Sequence, residues 1–214
     1  MINIKKYKHI IWDWNGTLFN DVELCANIMN LLLDEANLPK IDIEKYRDVF
    51  TFPVIEYYKA LGHDTGEENW QKISHQFINT YEANKYEYQI YSDAVKVLEY
   101  VTSLGISQSI LSAYKQETLD ELVSHFNLSK YFVKLVGLDN IYAVSKLDNG
   151  LKWIKELGLQ KGEVLLVGDT LHDCEVAKAI GADSVLLSLG HQSKEKLSVC
   201  NIPIIDSLSE LIRE

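Results

Sequence analysis

The chain of 214 residues predicts an α/β fold, in which a doubly wound parallel sheet (a Rossmann-like core) carries an inserted α-helical cap. Three observations predict it. Short apolar runs that end at Gly, Asp or Ser recur along the chain, and helical patterns separate the last four main runs. Strands that alternate with helices favour a parallel sheet. About ninety residues separate the first run from the second, far more than one crossover helix needs.

The core elements follow in order along the sequence. The predicted buried strands span residues 9–13, 106–112, 133–138, 164–168 and 184–189, with a further edge strand at 202–205. The helical patterns between them span residues 115–126, 145–157 and 173–180. These elements assign residues 1–19 and 89–214 to the core.

The long gap after the first strand predicts a helical cap over residues 20–88. Asn20, followed by Glu23 three residues on, resembles a capping box and predicts the start of the first cap helix. Two more helical patterns follow at 42–61 and 67–84, and a helix at 92–104 leads back to the core.

Composition limits the class of protein and its partners. The chain is 47% hydrophobic and has a formal net charge of -10, so it predicts an acidic globular protein that does not bind nucleic acid. A small phosphorylated metabolite is a better partner. No apolar run reaches membrane-spanning length, and no signal peptide opens the chain. Three widely spaced cysteines favour reduced thiols, so we expect a cytoplasmic protein without membrane contact, as a monomer or weak homodimer.

Two strand ends carry carboxylates. The run IIWDWNGT at residues 10–17 and the run GDTLHD at residues 168–173 each place an Asp where an apolar strand stops. Parallel strands bring such residues together at the carboxyl edge of the sheet, where α/β proteins bind ligands. Asp13, Asp169 and Asp173 would therefore meet there and bind a hard cation, which predicts a Mg²⁺ site that also takes a phosphate.

With these motifs, the chain resembles the haloacid dehalogenase-like hydrolases, in the helical-cap branch that includes phosphoglycolate phosphatase-like enzymes. The family motif D-x-D-G-T stands here as Asp13-Trp14-Asn15-Gly16-Thr17. The resemblance implies that Asp13 is the nucleophile and that the backbone carbonyl of Asn15 is a metal ligand. It also implies that Trp14, Gly16 and Thr17 belong to the phosphate-binding loop, where Gly16 lets the backbone approach phosphoryl oxygens.

The resemblance extends to three further motifs. Ser112 matches the strand-terminal Ser or Thr that binds a phosphoryl oxygen, and Ala113 stands where the family usually has Asn. Lys146 matches the catalytic Lys, although the Pro that often follows it is absent. An ammonium there would neutralise charge on the nucleophile and on the transferred phosphoryl group. Asp169 and Asp173 match the acids of the fourth motif, of which Asp169 would bind the metal and Asp173 would either bind it or orient a water that does.

Asn15 departs from the family, whose second Asp protonates the leaving oxygen and helps to deprotonate water. An amide cannot transfer a proton, and losing such help costs on the order of 10²–10⁴ in rate. Three explanations stay open. The substrate has a leaving group that needs little protonation, as in acyl, aryl or anomeric phosphates. Another group such as His172 substitutes for the acid. Or the protein turns over slowly or only binds phosphate.

The first functional expectation is therefore a Mg²⁺-dependent phosphatase, ahead of a phosphomutase or phosphotransferase and of a non-catalytic phosphate-binding regulator. Asn15 favours the regulator, whereas the retained catalytic acids and Lys argue against it. A dehalogenase is disfavoured because halide displacement needs no metal.

Half of the chain's aromatic residues lie between Tyr46 and Tyr91 and form either a small core or a substrate surface. Arg47 among them binds either a substrate carboxylate or second phosphate, or a surface acid.

Overall fold

The computed structural model describes residues 2–139 and 146–212. One six-stranded parallel sheet forms the core, in the order β3-β2-β1-β4-β5-β6. Its strands are β1 (His9–Trp12), β2 (Ser107–Lys115), β3 (Lys134–Leu138), β4 (Val164–Gly168), β5 (Asp183–Leu187) and β6 (Ile204–Ile205). The predicted fold class is confirmed.

β1 lies at the centre of the sheet, between β2 and β4. Trp12 pairs in register with Ile110 of β2 and with Val167 of β4. All four residues of β1 are buried, as expected for a strand with helices on both faces. Asp13 and Asp169 each come directly after one of two adjacent strands, so the topology places both at one point of the carboxyl edge.

Nine α-helices surround or extend this sheet within the described residues. They are α1 (Val22–Glu35), α2 (Ile43–Val49), α3 (Val54–Ala60), α4 (Glu67–Asn84), α5 (Ala94–Ser103), α6 (Gln116–His125), α7 (Leu147–Leu157), α8 (Leu171–Ile180) and α9 (Lys194–Leu197). Helices α1 to α4 form the insertion between β1 and β2. The assignment of its limits to residues 20 and 88 stays a prediction. Each helix in the described part is too short or too polar to cross a bilayer.

Two local predictions in the insertion are wrong. Helix α1 has Asp21, not Asn20, as its N-cap residue, and the Asp21 side chain makes no capping hydrogen bond. That carboxylate is bonded to residues of the site described below. The single pattern at 42–61 is two helices, because Pro53 lacks an amide donor and disfavours helical backbone at the residue before it. The start of the predicted helix at 145–157 falls on Ser145, outside the described residues.

The insertion and one face of the sheet share a continuous hydrophobic cluster. Tyr46, Tyr57, Tyr58 and Tyr81 of the insertion are at most 3% exposed and belong to the same cluster as Trp12 of β1. A second, smaller cluster packs α7 and α8 on the other face of the sheet. The insertion therefore has its aromatic core directly above the carboxyl end of β1.

Candidate active site

Three buried carboxylates meet at the carboxyl edge of the sheet. Asp13 follows β1, Asp169 follows β4, and Asp173 lies in the first turn of α8. One oxygen from each lies within 4.8 Å of the others. These residues are 8%, 0% and 1% exposed, so the cluster is nearly closed to solvent. These are the three acids that the sequence predicts to converge.

Lys146 supplies the positive charge next to this cluster. It is the N-cap residue of α7 and is 3% exposed. Its Nζ lies 2.5 Å from Asp13 Oδ1 and 2.6 Å from Asp173 Oδ1, and donates a hydrogen bond of 3.0 Å to the carbonyl of Leu111. The ammonium thus bridges the predicted nucleophile and one of the predicted metal ligands.

The electrostatics of the cluster favour an added cation. Burial, together with the charges of Asp173 and Asp169, raises the pKa of Asp13 well above its usual range, against the opposing effect of Lys146. Burial likewise raises the pKa of Asp169 to about 6. Burial would also raise the pKa of Asp173, but Lys146 and Thr170 more than offset it and hold that pKa below its ordinary value. Three carboxylates beside one ammonium leave net negative charge in a buried place.

The donor set fits a hard divalent cation such as Mg²⁺, because it consists of carboxylate oxygens. Glycines make room for these carboxylates. A Cβ on Gly16 or on Gly190 would come within 2.3 Å of Asp169, and a Cβ on Gly168 would come within 2.3 Å of Asp173. Gly16 also has a φ of +70°, which side-chain-bearing residues rarely adopt. Backbone therefore packs directly on the acids.

Neighbouring donors hold both acids of the fourth motif in place. Asp169 accepts a 2.9 Å hydrogen bond from Thr17 Oγ1 and a 2.7 Å bond from the amide of His191. Asp173 Oδ2 accepts bonds from the amide of Thr170, at 3.0 Å, and from its hydroxyl, at 2.6 Å, within a capping box. One oxygen of Asp173 is thus fixed while the other faces Lys146. Such outer contacts orient metal ligands.

The side chain of Asn15 is held in a separate polar network. Its Nδ2 donates to Asp21 Oδ2 and to the Tyr81 hydroxyl, both at 2.8 Å, and that hydroxyl donates to Asp21 Oδ2 at 2.8 Å. Asp21 Oδ1 accepts from the amide of Gly16 at 2.9 Å and lies 3.3 Å from His191 Nε2. Asn15 therefore lies beside the nucleophile with its amide already bonded.

Sequence reasoning missed Asp21, Tyr81 and His191. Burial lowers the pKa of His191, but the carboxylates of Asp21, Asp169 and Asp13 more than offset this and raise it to about 9. His191 Nδ1 lies 2.7 Å from the Tyr46 hydroxyl. Asp21 was missed because it lies in the sequence pattern that predicts the start of the first cap helix, which already accounts for an acid there. No sequence pattern links it to residues 60 and 170 positions away.

The other residues predicted to bind phosphate lie around the cluster in different ways. Ser112 and Ala113 line a cavity above Asp13, which is described below. Ser112 Oγ accepts a hydrogen bond of 3.0 Å from the amide of Tyr114. Trp14 is 0% exposed and its ring stacks on Phe19, so its side chain belongs to the core and only its backbone is left for a ligand.

Arg47 does not lie among the residues that line this cavity. Its Nε donates to the carbonyl of Gly190 at 3.0 Å, and its Nη2 to that of Leu189 at 2.7 Å. These contacts join α2 to the loop after β5, and the substrate contact considered from the sequence stays a prediction. His172 does line the cavity, where its ring packs on Phe52 and its Nδ1 lies 3.5 Å from Glu175 Oε2.

A cavity of about 170 Å³ opens above the carboxylates, between the sheet and helices α2 to α4. Asp13, Asn15 and Lys146 form its floor, and its walls are mostly aromatic. The wall residues include Phe50, Phe52, Tyr57, Tyr58, Trp70, Phe77, Tyr81 and Tyr114. The reactive groups thus face an apolar chamber.

Buried carboxylates, a bridging Lys and a helical insertion over a parallel sheet define a class of hydrolases that use an Asp at the end of the first strand. A family model for haloacid dehalogenase-like hydrolases matches residues 10–187, and the chain belongs to that family. The family and the hydrolase class predicted from the motifs are confirmed.

One curated relative and two solved structures are similar to this chain over most of their length. The chain is 25% identical to a phosphoglycolate phosphatase of Vibrio parahaemolyticus, over 96% of this chain and 94% of that protein. Its fold is similar to that of a haloacid dehalogenase-like hydrolase from Streptococcus pneumoniae, with a TM-score of 0.82, 18% identity and 97% coverage of each chain. It is also similar to that of a predicted phosphatase from Clostridium acetobutylicum, with a TM-score of 0.80, 19% identity and 96% coverage of each chain.

Proposed function

We propose that this chain is a Mg²⁺-dependent phosphatase that hydrolyses a small-molecule phosphomonoester through an aspartyl-phosphate on Asp13. The observation that carries the proposal is the contact of Lys146 with both Asp13 and Asp173 in a buried cluster of three carboxylates. Structural ion pairs rarely gather three acids around one Lys, because burying unbalanced charge is costly. The phosphatase names of the curated relatives support the same activity.

In the first step Asp13 attacks phosphorus in line with the leaving oxygen. Lys146 orients the attacking carboxylate and offsets charge on the transferred group. Burial lowers the pKa of its ammonium, but Asp13 and Asp173 more than offset this and raise it, so the group keeps its proton. Asp13, Asp169, Asp173 and the backbone carbonyl of Asn15 would hold Mg²⁺. When bound, the cation would supply the charge neutralisation that lets two anions approach.

In the second step water hydrolyses the aspartyl-phosphate and restores the Asp13 carboxylate. The carboxamide of Asn15 can orient a group by hydrogen bonding, but it can neither give nor take a proton. The walls of the cavity would exclude bulk water from the first step, so that the phosphoryl group passes to Asp13 and not to solvent.

The test measures phosphate release from a panel of monoesters with and without Mg²⁺, and in parallel the shift of the melting temperature on adding Mg²⁺. We expect Mg²⁺ to raise the melting temperature, since a ligand of the folded state stabilises it. Asp13→Asn should abolish phosphate release. Asp206→Asn is the matched control, because that acid is exposed and paired with Lys194.

An Asp13→Asn enzyme that keeps the wild-type rate would exclude the proposed nucleophile. The phosphatase proposal is excluded if the wild type releases no phosphate from any ester and Mg²⁺ leaves its melting temperature unchanged. If phosphate release in water is slow and an added alcohol receives the phosphoryl group instead, the protein is the phosphotransferase.

A further inference from the structure

Building on the proposed phosphatase function, we infer that the substrates are aryl phosphates, whose phenol ring occupies the aromatic cavity and leaves without a proton from the protein. Phosphoglycolate, named for the curated relatives, has a small carboxylate-bearing alkyl leaving group. The cavity, its charges and Asn15 each argue against that group in this chain.

The size and lining of the cavity match an aromatic ring. Its volume of about 170 Å³ is comparable to the roughly 150 Å³ apolar cavity that binds benzene in an engineered protein. Phe52, Trp70 and Phe77 are partly buried wall residues, so their rings are available for contact with a ligand. Aromatic pairs in edge or offset geometry gain about 0.5–1.5 kcal/mol beyond their burial.

The charges that face the cavity do not suit a substrate carboxylate. Lys146 is the one Lys or Arg among its described lining residues, and Asp13 and Asp173 already pair with it. Arg47 is bonded to backbone carbonyls outside the cavity. Both ring nitrogens of His191 are already engaged, because Nε2 lies 3.3 Å from Asp21 Oδ1 and Nδ1 lies 2.7 Å from the Tyr46 hydroxyl. A glycolate carboxylate would therefore be desolvated among aromatic rings, and the described lining residues offer it no Lys or Arg besides the paired Lys146.

The side chain at position 15 determines which leaving groups can depart. An alkoxide is a strong base and needs a proton as the bond to phosphorus breaks, whereas a phenolate is stable without one. Asn15 carries no acidic proton, and its amide is fixed by Asp21 and Tyr81. Without general acid help, alkyl esters lose on the order of 10²–10⁴ in rate, and aryl esters much less.

Tyr57 adds a polar contact to this otherwise apolar chamber. It is 2% exposed, lines the cavity, and its hydroxyl has no hydrogen-bond partner among the described residues. An unpaired buried hydroxyl is costly, so a bound ligand with one polar substituent on its ring would satisfy it. This favours a substituted phenyl phosphate over a purely hydrocarbon one.

The bonds and protons of the reaction balance with water as the only co-substrate. A bond forms between Asp13 and phosphorus, and the bond from phosphorus to the aryl oxygen breaks, its electron pair leaving with the phenolate. Water then forms a bond to phosphorus, and the bond from phosphorus to Asp13 breaks. The proton lost by water ends on the phenolate through solvent, giving a phenol and hydrogen phosphate.

Four esters separate ring binding from leaving-group acidity: phenyl, cyclohexyl and ethyl phosphate, and phosphoglycolate. We expect both ring esters to have lower KM values than the other two, because only they fill the cavity. We expect phenyl phosphate to have a kcat at least about 10²-fold above that of cyclohexyl phosphate, because only its leaving group departs unprotonated.

Variants of the cavity wall test where the ring binds. Phe77→Ala and, independently, Phe52→Ala should raise KM for the two ring esters about tenfold, and change it little for ethyl phosphate. Tyr86→Ala is the matched control, since this ring is exposed on the insertion and lies outside the cavity. Using ratios between esters removes effects of the variants on folding.

Two results would overturn the inference, and they are distinguishable. If phosphoglycolate or ethyl phosphate has a higher kcat/KM than phenyl phosphate while Asp13→Asn is inactive, aryl selectivity is wrong and the phosphatase stands. If no ester releases phosphate, aryl selectivity is wrong, and the phosphatase is wrong as well when Mg²⁺ leaves the melting temperature unchanged.

Discussion

At the scale of single residues, Asp21 organises the side chains around the nucleophile. It is 0% exposed and accepts hydrogen bonds from the Asn15 amide, the Gly16 backbone and the Tyr81 hydroxyl. Burial alone would raise the pKa of Asp21, but His191 and these donors more than offset that effect and lower it. Because the Asp21 carboxylate is charged, it accepts a hydrogen bond from the side-chain amide of Asn15. This contact explains why position 15 can be occupied by an amide and not by an acid.

Asn15→Asp should therefore change selectivity among leaving groups. A carboxyl group 2.8 Å from Asp21 would be repelled by it and would hold a proton, which makes it a potential general acid. We expect kcat for cyclohexyl phosphate to rise by about 10²-fold or more, while kcat for phenyl phosphate changes little.

The Asn15→Asp/Asp21→Asn double variant serves as the control, since it exchanges the two groups and conserves the charge of the pair. Equal changes of kcat for the two esters would show that position 15 does not act on the leaving group.

His9 should make the free energy of unfolding depend on pH. It is 0% exposed, with Nδ1 2.7 Å from Ser107 Oγ and Nε2 2.8 Å from Ser109 Oγ, and burial lowers its pKa to about 4. Since the unfolded chain binds the His9 proton near its ordinary pKa of 6.5, acidification between about 6.5 and 4 favours unfolding. The loss reaches about 3 kcal/mol at the low end of this range.

Urea unfolding of wild type and His9→Gln across that pH range measures this contribution. The wild type should lose more stability than the variant as the pH falls. Parallel curves for the two proteins would assign the acid sensitivity to other groups.

At the scale of elements, helix α2 is attached to the loop that follows β5. Besides the two bonds from Arg47, Gln192 Nε2 of this loop donates to the carbonyl of Phe50 at 3.0 Å, and Lys196 Nζ of the following helix α9 donates to the same carbonyl at 2.7 Å. The same loop carries Gly190 and the amide of His191 against Asp169. One loop thus fixes both a wall of the cavity and an acid of the cluster.

Arg47→Ala should lower the free energy of unfolding by about 2 kcal/mol, because a charged donor leaves two backbone carbonyls. The ratio of KM values for phosphoglycolate and phenyl phosphate should stay the same. Lys59→Ala, which removes an exposed cation on α3, is the control for both measurements.

A selective rise of KM for phosphoglycolate in Arg47→Ala would instead support the substrate-carboxylate role that the sequence suggested for this residue. Urea unfolding and steady-state kinetics on the same preparations separate the two roles.

At the scale of the whole molecule, the two parts of the chain divide the work of the proposed enzyme. The parallel sheet brings the acids and Lys146 together, and helices α2 to α4 supply most of the walls that face the substrate. A net charge of -10 repels a phosphate dianion at long range, so the attraction has to come from Lys146 and from the proposed Mg²⁺.

Much of the fold was predictable because its signals are local. Apolar runs such as the one before Asp13 need only a few residues to indicate a buried strand, and their alternation with helices implies a parallel sheet. The break at Pro53 was also predictable from the sequence, because Pro interrupts helices, but the helical spacing on both sides of it favoured a single helix. The start of α1 was misplaced because the carboxylate of Asp21 bonds to distant residues instead of its own helix.

The sequence by itself determined the alternation of strands and helices in the core, the family, and the convergence of Asp13, Asp169 and Asp173, because motif spacing and parallel topology bring them to one sheet edge. Only the tertiary structure decided that Asn15 is bound by Asp21 and Tyr81, that Arg47 joins α2 to a loop, and that the cavity is aromatic. Those outcomes depend on which side chains from distant segments face one another. Packing of the insertion on the sheet sets that, and no local pattern encodes it.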